Sequence, residues 1–264
     1  MIALLTIVLV GFFLGMRHAT DPDHVIAVTT IVTRQKSLAH ASLIGILWGI
    51  GHTITIFVIG TAIILFSVVI PARVGLSMEL SVGLMLILLG VLNLTGTMRW
   101  MSERFAALSR GRHTGATVRD DFAESLEPQV MRGAETEATM SPGWLENVVG
   151  RMGLFQTLRP LLVGIVHGLA GSAAVALLVL TTIRNPWWAL AYLLVFGFGT
   201  IGGMMLITSA IAMPIAYSGK RFAGLSQILA VASGVLSIGF GCFLTYQIGV
   251  VNGLLTSHPH WTPR

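Results

Sequence analysis

Long apolar stretches alternate with short polar breaks along almost the whole chain. A helix needs about 20 apolar residues to cross a bilayer. On that measure the pattern predicts six spans: Ile2 to Thr33, Leu38 to Ile70, Leu80 to Met98, Leu161 to Ile183, Trp187 to Ala212 and Leu225 to Val250. A polar octapeptide interrupts the first. The first two exceed the minimum by about ten residues, so they are expected to tilt, break or extend past the lipid. A polar segment from Arg99 to Arg159 divides the spans into two groups of three. The fold class this implies is an all-α polytopic membrane protein.

Composition agrees. Hydrophobic residues make up 54% of the chain and charged residues only 10%, against about 25% charged in an ordinary soluble domain. The net charge of +5 is scattered over the connections, where it sets membrane topology and gives no reason to expect nucleic acid. The single Cys242 excludes a CxxC redox pair or a thiolate cluster within one chain; in its apolar run it is expected to be a small buried residue. No cleavable signal peptide is expected, because a basic n-region is missing and the first apolar stretch runs straight into the octapeptide.

The polar segment carries eight Arg and eight acidic residues. With little apolar periodicity it reads as a solvated, largely disordered linker, with a short helix near Trp144 to Met152. Its one histidine, His113, is too few for a chelating loop. Arg34 and Lys36, the eight Arg of the linker, and Lys220 and Arg221 mark the odd-numbered connections as cytoplasmic. Trp187, Trp188 and Trp261 then fit the outer interface, where indole rings prefer to lie. The expected localisation is the cytoplasmic membrane.

The halves resemble each other. Gly15-x-x-His18 recurs as Gly164-x-x-His167, Gly49-x-Gly51-His52 as Gly197-x-Gly199-Thr200, and Gly83-x6-Gly90 as Gly234-x6-Gly241. Three spans per half would insert the second half upside down, the inverted-repeat plan of many secondary transporters. The domain reading is therefore a three-helix repeat over residues 1–98, the linker over 99–159, a second repeat over 160–252 and a tail over 253–264.

The octapeptide Arg17-His18-Ala19-Thr20-Asp21-Pro22-Asp23-His24 holds the candidate chemistry. Outside the linker the acidic residues are Asp21, Asp23 and Glu79, and charge at membrane depth is costly and marks ion or substrate paths. Pro22 is expected to kink or unwind the helix between His18 and His24, gathering the side chains and releasing carbonyls as further ligands. Imidazole plus carboxylate suits Ni, Co, Zn, Mn or Fe rather than Ca or Mg. Spacing of i,i+4 also favours an Arg17–Asp21 pair. His52, midway along the second span, is a third imidazole or a supporting partner. His167 stands where the repeat places a mate of His18. Asn93 and Gln247 are expected to bond between helices.

These residues resemble the nickel/cobalt permeases. That family's signature, Arg-His-Ala-x-Asp-Ala-Asp-His-Ile, is matched by Arg17 to Val25 with Pro22 for Ala and Val25 for Ile, and its Gly-His-Ser/Thr element by Gly51-His52-Thr53. The stretch His167 to Ala174 is similar to shorter relatives described as urease-accessory or nickel-transporter-like membrane proteins. The resemblance implies that His18, Asp23 and His24 hold the substrate metal, with His52 close by. The chain departs from the longer permeases in having six expected spans rather than eight, and no acidic residue follows Glu146 to supply their Phe-Asp-Thr-Ala-Thr-Glu element.

The expected function is secondary transport of Ni²⁺ or Co²⁺ through a midplane site of His18, Asp21, Asp23, His24, His52 and His167. Import is favoured because the His-rich loop common in related exporters is missing. A non-transporting accessory protein that passes nickel to urease or hydrogenase maturation proteins is the alternative. A membrane enzyme is disfavoured, since no His-Glu-x-x-His is present. Lipid and the divalent ion are the expected partners, with no cofactor beyond the transported metal.

Overall fold

The computed structural model describes residues 2–33, 35, 37–66, 70–95, 157–170, 183, 185–217, 223–256 and 259–261. Among these residues the secondary structure is entirely helical. Seven α-helices follow in order: α1 (Ile2–His18), α2 (Pro22–Val32), α3 (Leu38–Phe66), α4 (Ala72–Leu94), α5 (Thr157–Ala170), α6 (Pro186–Tyr217) and α7 (Ala223–Tyr246), the last continued by a π-helical turn over Gln247–Val251. Four of these stretches are long and apolar enough to cross a membrane: Leu38–Phe66, Ala72–Leu94, Pro186–Pro214 and Ile228–Val251. The chain is a multi-pass membrane protein.

The first expected span is two helices, α1 and α2, with the octapeptide at their junction. The expected third span begins eight residues early, at Ala72 rather than Leu80. Pro71 stops the preceding connection and occupies the N-cap of α4, so Glu79 lies within the helix. The expected linker ends early, because α5 begins at Thr157 and includes Arg159. The rest of the linker, including the Trp144 to Met152 helix, lies outside the described residues, as does 171–182 of the fourth span.

Among the described residues α1 packs on α6, α3 on both α6 and α5, and α4 on α7. Small residues set the spacing, since close backbone approach is how apolar helices gain packing energy in lipid. A side chain on Gly15 would collide with the Phe196 carbonyl, and one on Gly164 with the Trp48 carbonyl. Gly51 and Gly199 are closed off in the same way by the carbonyls of Leu161 and Phe12. On the α4–α7 face, a Cβ on Gly90 would lie 2.6 Å from the Gly234 oxygen, and one on Gly241 2.7 Å from the Gly83 oxygen. Each of the two long helices α3 and α6 meets the other near its middle, where Gly49 rests on Ile201 and the Thr53 hydroxyl donates to the Gly197 carbonyl at 3.2 Å.

Polar groups in the spans are mostly satisfied locally or across these interfaces. Asn93 donates from its amide to the Ala230 carbonyl at 2.8 Å, the helix–helix bond expected of it. The Thr55 hydroxyl reaches both Gly51 and Ile165 carbonyls at 3.1 Å. Trp187 and Trp188 at the start of α6 are exposed, as an interfacial pair should be. Cys242 departs from expectation: it is exposed on α7, because that turn buries Gly241 against α4 and leaves the next residue outward.

Candidate metal centre

The octapeptide folds as a helix break whose cause differs slightly from a proline kink. Arg17 and His18 end α1; Ala19 still bonds back to Gly15, and a tight turn then joins Thr20 N to the Arg17 carbonyl and Asp21 N to the His18 carbonyl. Asp21 is the N-cap of α2, in extended backbone (φ −59°, ψ 144°), and Pro22 takes the first helical position. A proline there loses nothing by lacking its N–H and favours an extended residue before it. Pro22 therefore starts the second helix instead of bending one long helix. The carbonyls of Arg17 and His18 each accept a backbone hydrogen bond within this turn.

The break brings four imidazoles together. His18 ends α1, His24 lies in the first turn of α2, His52 is the central residue of the 29-residue α3, and His167 is on α5. Ring centroids of His24 lie 4.8 Å from His18, 5.1 Å from His52 and 4.2 Å from His167. His24, His52 and His167 are buried, and His18 is nearly so. Trp48 closes one side, its ring stacked on His24 at 6.1 Å and 13°.

The two carboxylates orient these rings. His18 Nδ1 donates to Asp21 Oδ2 at 2.8 Å. His24 Nδ1 donates to Asp23 Oδ1 at 3.1 Å, and its backbone N–H reaches the same oxygen at 3.0 Å. Placing the proton on Nδ1 leaves Nε2 of both rings with a lone pair, the arrangement by which carboxylates fix metal-binding histidines. His18 Nε2 then faces His52 Nε2 at 3.1 Å. Two imidazoles on one ion, at metal–nitrogen distances of about 2.0–2.1 Å, place their nitrogens about 3 Å apart. His24 Nε2 and His52 Nδ1 have no hydrogen-bond partner among the described residues despite full burial, and an orphaned buried nitrogen is costly unless something binds it.

Two overlapping donor sets result. Single ligand atoms from His18, His24 and His52 lie within 4.8 Å of one another, and so do those of Asp23, His24 and His167. His167 Nε2 donates to Asp23 Oδ2 at 2.9 Å, so Asp23 ties α5 to the octapeptide. All six residues singled out from sequence meet here. The alternative partner for Asp21 does not: its recorded ion pair among the described residues is with His18, not Arg17. The turn at Ala19 and Thr20 removes the i,i+4 geometry that a continuous helix would give Arg17 and Asp21.

A cavity of about 280 Å³ adjoins the cluster, lined by His18, Asp21, Asp23, His24 and His167 on one side. Its other lining groups include Glu79 of α4, and Gln247 and Asn252 at the end of α7. Sequence reasoning did not place these three at the site. Gln247, expected to bond between helices, also lines this cavity. Trp261, expected at the lipid interface, lies over Gly75, and its indole N–H donates to Glu79 Oε1 at 2.9 Å. A signal for Glu79 existed: it is the one acidic residue in the apolar spans beyond the octapeptide.

No protein-family profile matches the chain, and no solved structure matches it. Among curated proteins it is similar to a urease accessory protein, UreH, of Bacillus sp. (strain TB-90), with 34% identity over 251 residues that cover 95% of each chain. Similarity of that degree over nearly the full length of both proteins, joined to the Arg17 to Val25 and Gly51 to Thr53 motifs, places the chain in the UreH family of urease accessory proteins, the short branch of the nickel/cobalt permease type.

Proposed function

We propose that the protein is a secondary permease that carries a divalent transition metal, Ni²⁺ or Co²⁺, into the cell through the cluster at the α1–α2 break. One observation carries this reading: His18 and His24 are each tied through Nδ1 to a carboxylate, and ligand atoms of both lie within 4.8 Å of one of His52, the central residue of a membrane-length helix. Nitrogen-rich sites of this kind select late first-row ions over Mg²⁺ and Ca²⁺. In this reading His18, His24 and His52 bind the ion, Asp21 and Asp23 orient the rings, and His167 holds Asp23 and offers a second donor set for passing the ion on.

Transport of this kind requires the site to face each side in turn. The six-span, inverted-repeat architecture supplies a means, and the glycine contacts support it. Gly15 meets Phe196 and Thr200, and its repeat mate Gly164 meets Trp48 and His52, which are the mates of those two residues. Gly51 with Leu161 and Gly199 with Phe12 obey the same relation, as do Gly83 with Gly241 and Gly90 with Gly234. A two-fold relation between halves allows one half to rock against the other about a shared site. The chemistry is binding and release; no bond in a substrate is made or broken.

The relative's description as a urease accessory protein supports a second reading, in which the membrane protein delivers nickel to urease or hydrogenase maturation proteins without transporting it. Radioactive nickel accumulation by cells that lack their own nickel uptake separates the two. Accumulation that depends on this protein and disappears in His18→Ala supports the permease. No accumulation with unchanged urease maturation supports delivery, and faster nickel loss from preloaded cells would reverse the direction.

A further inference from the structure

We propose that Glu79, with the side-chain amides of Gln247 and Asn252, forms an outer docking station where a hydrated divalent cation is held before it reaches the histidine cluster. The inference rests on the reading of that cluster as a metal site. All three residues line the same cavity as His18, Asp21, Asp23, His24 and His167, yet they come from α4 and the end of α7. A carboxylate in an apolar helix is costly and commonly marks an ion path. The cavity, at about 280 Å³, has room for an ion with several of its waters, each of which occupies about 30 Å³ in the liquid.

The end of the chain is folded to keep this carboxylate in place. The π-helical turn Gln247–Val251 is capped by Asn252, and Gly253 (φ 77°) reverses the chain. His260 N–H then bonds back to the Asn252 carbonyl at 3.0 Å, which brings Trp261 over Gly75 with its indole on Glu79 Oε1. One carboxylate and two side-chain amides bring oxygen donors to the same cavity. Such sets accept hard, hydrated cations such as Mg²⁺ and Mn²⁺ as well as Ni²⁺, whereas the imidazole cluster discriminates more strongly. The station therefore gathers divalent ions with little choice among them, and the main selection happens one step further in.

The test is calorimetric titration of the purified full-length protein in detergent with nickel chloride and, separately, manganese chloride. Nickel should bind in a tight and a weak step, and manganese in the weak step alone. Glu79→Gln keeps an oxygen for the Trp261 indole but removes the charge; it should weaken the manganese step about tenfold or more and leave the tight nickel step unchanged. His24→Ala should do the reverse. Manganese binding in Glu79→Gln equal to that of the wild type overturns the outer station whatever happens at the cluster. A tight nickel step that survives His24→Ala overturns the cluster assignment instead, and the manganese step still decides the station.

Discussion

His18 and His52 face each other nitrogen to nitrogen at 3.1 Å across two helices. One ring closes α1 and the other sits at the centre of α3. With Nδ1 of His18 engaged by Asp21, an ion between the Nε2 atoms can replace the single proton that they otherwise share. His52→Ala should therefore lower nickel affinity by at least about tenfold while the protein still inserts, since His18 and His24 remain as ligands. Titration of the detergent-purified variant checks this; unchanged affinity would remove His52 from the site.

The two carboxylates should differ in weight. Asp23 holds both His24 and His167 and has 27% of its side chain exposed, while Asp21 holds His18 alone and is 47% exposed. Outer partners of metal-binding histidines are worth about 10–100-fold in affinity. Asp23→Asn is expected near the upper end of that range and Asp21→Asn near the lower end. Nickel dissociation constants of the two variants, measured side by side, test the ranking.

Imidazole binds a metal only when neutral, so protons compete with nickel at every histidine of the cluster. Nickel binding should weaken as pH falls, because a proton on any ligating imidazole removes a donor. The manganese step assigned to Glu79 should not follow the nickel step, because no imidazole takes part in it. Equal loss of both steps would contradict the separation of nitrogen and oxygen sites.

Close helix approach gives a further prediction. Gly51→Ala places a methyl group against the Leu161 carbonyl, with no flexible side chain to yield, whereas Gly239 has open space around it. Overpacking of this kind typically costs about 1–3 kcal/mol. The apparent Tm in detergent should fall for Gly51→Ala and hold for Gly239→Ala. A fall of similar size in both would mean that the glycines matter for other reasons.

Much of this organisation was legible in the sequence, and the reason is physical. In an apolar chain each ionisable group stands out against its cost, so the octapeptide, His52 and His167 could be singled out without structure. The helix break was legible from Pro22, although the proline proves to start a helix rather than bend one. What was not legible depends on distant contacts. Glu79 looked solitary because its partner, Trp261, lies at the other end of the chain. The place of Gln247 beside the cavity was not legible because the helices that form the cavity are far apart in sequence. Likewise the Asp21–His18 bond replaces the Arg17 pair only once the turn at Ala19 and Thr20 is known.

The most direct test is uptake of radioactive nickel by liposomes containing the purified protein, with His24→Ala beside it. Saturable uptake by the wild type, lost in the variant while both are inserted in equal amounts, is the predicted result. Equal uptake by both would contradict the metal centre at the helix break, and no uptake by a wild type that binds nickel tightly would contradict the permease.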